Sequence, residues 1–112
     1  MLEIDGLAQI THHGDAIICS FETILDCGLE EAKEKVLTAI KMVEQLVNEE
    51  NGLIGHIKAH IKESGRSISI STTGGPATIM NGISTETEVS FTAIVFFVNE
   101  IILREIIERQ FE

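Results

Sequence analysis

LIGHIKAHIKESGRSISIST, residues 53–72, is the stretch that decides the fold. Its first half sets Ile57, Ala59 and Ile61 against His56, Lys58, His60 and Lys62, a strict period of two. After Glu63-Ser64-Gly65-Arg66 the pattern resumes, with Ile68 and Ile70 against Ser67, Ser69 and Ser71. Side chains of a strand project alternately to its two faces, so this spacing predicts two strands, each with an apolar and a polar side. The Ser-Gly pair between them predicts a tight hairpin turn. Sheets of this antiparallel kind commonly bury one face and leave the other in water.

Upstream, Asp15–Leu25 (DAIICSFETIL) is β-branched and aromatic, with Ile17, Cys19 and Phe21 on one side and Ser20 and Glu22 on the other, which predicts a strand. Between the two strand regions, apolar Leu29, Ala32, Val36, Ile40, Val43 and Val47 recur at helical spacing. Glu30, Glu31 and Glu34 favour the positive end of the helix dipole, and Asn51-Gly52 supplies a stop. Downstream, TTGGPATIMNGIS holds the single proline and three glycines and reads as a loop, long enough for a functional role. TEVSFTAIVFFV reads as a strand that begins half-exposed and ends apolar on both sides, with Ile94, Phe96 and Val98 on the second side. NEIILREIIERQFE reads as a helix capped by Asn99, with Ile102, Leu103, Ile106, Ile107 and Gln110 on neighbouring positions. Residues 1–14 predict an arm or an extra strand. The expected architecture is therefore α+β: one domain over residues 1–112, a two-layer sandwich of mainly antiparallel sheet with two helices on one face, in the order β-α-β-β-β-α.

Composition narrows the function. The 112 residues carry a formal charge of −10, with a mean hydropathy of +0.21 and neither Trp nor Tyr. A phosphate backbone or an anionic membrane surface would be repelled, and the aromatic platforms that stack single-stranded bases are missing, so neither nucleic acid nor membrane is an expected partner. Cys19 and Cys27 match no zinc or redox spacing, and no cationic, apolar leader is recognised. The expectation is reduced cysteines in a cytoplasmic protein.

The chemistry-bearing residues gather on the expected polar sheet face. His56, Lys58, His60 and Lys62 from one strand, with Ser69 and Ser71 from the next, would suit an anionic small molecule or a protein partner. Cross-strand pairing of the lysines with Glu86 and Glu88 is the plainer alternative. Thr73, Gly74 and Gly75 offer backbone N–H groups to an anion, without the Gly-Lys-Ser/Thr ending of a phosphate loop. A metal could be shared by His12 or His13 with one of His56 and His60, because the last two, four apart on a strand, are about 13 Å from each other. The uncovered Ile94, Phe96 and Val98 predict a homo-oligomer, unless the amino-terminal arm with Leu2, Ile4, Leu7 and Ile10 covers them. The leading expectation is a non-catalytic binding or accessory domain. The runner-up is a small enzyme or metal-binding protein built on those histidines, with Ser69 or Thr73 nearby and Glu88 as an orienting acid.

Overall fold

The alternating segments pair into one antiparallel sheet. The computed structural model describes residues 8–63, 66–72, 78–79 and 86–111. Along the chain run β1 (Gln9–His13), β2 (Ala16–Leu25), α1 (Leu29–Glu49), β3 (Leu53–Glu63), β4 (Arg66–Thr72), β5 (Thr78–Ile79), β6 (Thr87–Phe96) and α2 (Glu100–Gln110). The strands lie in the order β1-β2-β6-β3-β4-β5, every neighbour antiparallel. The four expected strands and two helices form the α+β two-layer arrangement that the sequence predicts.

Of the two expectations for residues 1–14, an arm or an extra strand, the structure has a strand: Gln9–His13 pairs at the edge of β2 and so does not fold over Ile94 and Phe96, while Leu2, Ile4 and Leu7 lie outside the described residues. Two details differ from expectation. The segment read as a plain loop contains β5, whose Thr78 and Ile79 pair with Ser71 and Ile70 of β4. Glu63, expected in the hairpin turn, instead ends β3 opposite Arg66 and is only 2 % exposed.

The core lies between the sheet and the helices. Alternate residues Ile17, Cys19 and Phe21 of β2, Ile57, Ala59 and Ile61 of β3, and Val89, Phe91, Ala93 and Val95 of β6 face inward and are buried. Against them α1 sets Ala32, Val36, Ala39, Ile40, Val43 and Val47, and α2 sets Leu103 and Ile107. α1 lies over β3 and β6, while α2 lies over β1 and β2 and touches α1. The buried stripe of α2 is narrower than the periodicity suggests, for Ile102 is 39 % exposed. Phe111 makes up the difference: it is buried, and its ring stacks on Phe21 at 5.2 Å.

Connections fix how these layers meet. α1 ends in a Schellman-type turn: Asn51 takes the left-handed conformation (φ 56), Gly52 N donates to Val47 O at 2.8 Å, and Asn51 N donates to Asn48 O at 3.3 Å. Glu50 Oε1 accepts from Asn99 N at 2.6 Å, tying the end of α1 to the start of α2. The Asn99 side chain then caps α2 by accepting from Ile101 N and Ile102 N, as the sequence predicts. β6 stops at Phe96 because Phe97 turns the chain with a left-handed φ of 65. Val98 consequently packs toward the core and does not continue the open side of the strand, a correction to the expected Ile94-Phe96-Val98 stripe. A left-handed bulky residue costs about 1–3 kcal/mol, and this one leaves the Phe97 ring 59 % exposed.

Candidate functional site

The face of the sheet turned away from the helices carries the candidate site. Cross-strand register arranges its residues in rows that run over β2, β6, β3 and β4. One row is Ser20–Thr92–Lys58–Ser71; the next is Glu22–Ser90–His60–Ser69; a third is Ile24–Glu88–Lys62–Ser67. Toward the other end, Ile18 faces Ile94 and Ile94 faces His56, and Ala16 faces Phe96 and Phe96 faces Leu53. The face is thus polar at one end and apolar at the other. A bulge at Gly55 separates Ile54, which faces the core, from His56, which faces outward. The glycine also makes room: a Cβ there would lie 3.3 Å from the Phe96 ring and 3.2 Å from Ile94.

An open depression of about 350 Å³ lies at the polar end, lined by Glu22, Ile24, His60, Lys62, Glu88 and Ser90 among others. Here the structure brings together His60 and Lys62, both anticipated, with two residues that the sequence reading passed over as site members, Glu22 and Ser90. Their signal was present, since each occupies the polar phase of its strand. What the sequence withholds is that β2 and β3 both pair with β6. Lys62 directly faces Glu88 in the register of β3 and β6. Lys58 faces Thr92 on one side and Ser71 on the other, and among the described residues no acid stands in its row. Ser69 and Ser71 are the β4 partners of His60 and Lys58, while Thr73, Gly74 and Gly75 lie outside the described residues.

The metal arrangement considered from the sequence does not assemble within one chain. β1 is three strand spacings from β3, about 14 Å at roughly 4.8 Å each. His12 also points to the helix side, where its Nε2 lies 2.5 Å from Glu100 Oε1 of α2, whereas His56 and His60 occupy the outer face. Among the described residues no group of three His, Cys, Asp or Glu side chains is placed to hold an ion. The row Glu22–Ser90–His60 contains the residue types of a hydrolytic triad in the wrong order. The serine stands between acid and imidazole, and its Oγ donates to Glu22 Oε2 at a long 3.5 Å.

Neither cysteine is built as a nucleophile. Cys19 is fully buried in the core, and burial pushes its thiol up to about 12. Cys27 is half-buried, its thiol raised first by burial and then by the Glu31 carboxylate. The thiolate is the reactive form, so both should label slowly at neutral pH. Titration with a disulfide reagent is expected to modify Cys27 slowly in native protein and Cys19 after unfolding in urea. Rapid native modification of both would contradict the burial of Cys19.

No helix among the described residues is long and apolar enough to cross a membrane. No protein-family model matches the chain, and comparison with curated proteins and with solved structures finds no match. No residue role is therefore carried over from a relative.

Proposed function

We propose that this chain is a non-catalytic, cytoplasmic, homo-oligomeric binding domain that receives a protein partner on the open face of its sheet. The observation that supports this most is the mixed sign of the depression, where Glu22 and Glu88 stand beside His60 and Lys62. A small anion there would meet two carboxylates. A protein surface carrying both signs satisfies all of these groups at once, and such rim charges contribute register and specificity more than raw affinity. The apolar end of the same face, with Ile18, Ile94 and Phe96, adds the surface whose removal from water drives association. Free cysteines suit a reducing compartment.

A second reading has its own support. Lys58, with Thr92 and Ser71 in its row, offers a cation without an opposing acid among the described residues, so an anionic small molecule would sit toward β4 and away from the depression.

Native mass spectrometry of untagged protein tests both. Added protein mass that falls about tenfold in Lys62→Ala, with circular dichroism unchanged, is the expected result, equivalent to about 1.4 kcal/mol of binding. A small non-protein mass lost in Lys58→Ala would select the anion. Retention indifferent to both substitutions overturns the open face as a binding surface.

A further inference from the structure

We infer that the partner on the open face is a second copy of this chain, packed face to face about a two-fold axis running along β6. The inference rests on the reading of that face as a binding surface and names its occupant.

Charge supplies the first argument. The chain carries 18 acidic and 8 basic side chains, so two copies repel over most of their surfaces. On the described strands of the open face, however, the formal charges are Glu22 and Glu88 against Lys58 and Lys62, a sum of zero. A second copy, itself at −10, meets least resistance there. A cationic partner would be drawn instead to the acidic outer surface of α1, with exposed Glu30, Glu31 and Glu34.

Self-complementarity supplies the second. β6 is flanked by β2 on one side and β3 on the other. A two-fold axis along β6 exchanges the flanking strands, so β2 of one copy lies over β3 of the other. Glu22 then comes over the row of His60, with Lys58 and Lys62 two residues away on either side, and the contact is made twice, as an isologous interface requires. Sheets packed in this way stand about 10 Å apart, within reach of such side chains. Glu88 lies on the axis and would approach its own copy, but Lys62 of the same chain faces it.

The apolar end fits the same axis. Ile94 and Phe96 of β6 come against their own copies, and the exposed Leu53 covers their flank. The left-handed Phe97 holds its ring 6.1 Å from that of Phe96, at the margin where a second copy would cover it. The turn at Phe97 brings Val98 onto the core, and it leaves the Phe97 ring 59 % exposed beside the apolar end.

Sedimentation velocity on the full chain tests the inference through charge reversal. Wild-type protein is expected to sediment as a dimer at micromolar concentration. Glu22→Lys and Lys62→Glu should each raise the dimer dissociation constant about tenfold or more. An equimolar mixture of the two variants should recover the dimer, because the two reversed charges are then opposite in sign on neighbouring rows of one contact while the second contact keeps its native pair. Circular dichroism checks that each variant folds. Phe97→Gly provides an independent arm: glycine accepts the left-handed conformation, so circular dichroism should show the fold retained while the dimer weakens. A monomeric wild type, a dimer indifferent to both reversals, or a mixture that stays monomeric overturns the inference. If the monomer still retains a mass sensitive to Lys58→Ala or Lys62→Ala, the face binds something other than its own copy. If it retains none, the broader reading falls with it.

Discussion

Replacing Phe91 with alanine is expected to lower the unfolding free energy by about 4 kcal/mol, a large share of what a small domain possesses. Phe91 sits mid-strand on β6, is 1 % exposed, and faces the helix layer between the two strands that β6 joins. Its ring lies 6.1 Å from that of Phe111, which in turn stacks on Phe21. Truncation removes the buried ring, leaves a void the rigid sheet cannot close, and strips a wall from the Phe111 site. Urea unfolding followed by circular dichroism measures the change. A loss under about 1 kcal/mol would mean that α2 and its terminal phenylalanine do not seal the core as described.

Gly52→Ala should be nearly as damaging, by about 3 kcal/mol, although it adds only a methyl group. A Cβ at this position would lie 2.4 Å from the Phe96 carbonyl oxygen and 2.8 Å from Val98 Cγ1. The first neighbour is backbone and cannot rotate away, so either the Schellman-type turn or the end of β6 must move. Gly55→Ala provides the control. Its closest approaches are 3.2 Å, to the Ile94 side chain and carbonyl, and a smaller loss is expected. Equal effects at the two positions would argue against this close approach of the helix exit to β6.

Much of this architecture was legible because the period of a pattern is a local property. The alternation at Ile57, Ala59 and Ile61 states which residues are buried without reference to the rest of the chain, and all three are. The stop at Asn51-Gly52 and the Asn99 cap are likewise decided within a few residues of themselves. β1 could have been found from Gly14, whose positive φ of 62 makes the two-residue turn between His13 and Ala16. Its weak alternation hid it, since β1 is an edge strand and mostly exposed. The break at Phe97 carried no such signal, because phenylalanine is not a residue that announces a left-handed turn. Half of the candidate site was equally beyond reach: Glu22 and Ser90 read as ordinary polar positions until the pairing of β2 with β6 sets them beside His60 and Lys62. Strand order is a long-range property, and one sequence contains no record of it.

The place of β6 in the sheet also governs when this protein can fold. The strand that joins β2 to β3 is drawn from residues 87–96, the last strand among the described residues. During synthesis β2, α1 and the β3–β4 hairpin therefore emerge while the middle of their sheet does not yet exist, and β2 and β3 each hold a strand edge that has no neighbour. Closure waits for distant segments, the kind of pairing that slows folding and leaves an intermediate open to wrong associations. For a chain whose longest apolar run, Ala93–Val98, begins in that same strand, the interval before β6 is in place is the period of greatest exposure to aggregation, and the time at which a chaperone would be of most use.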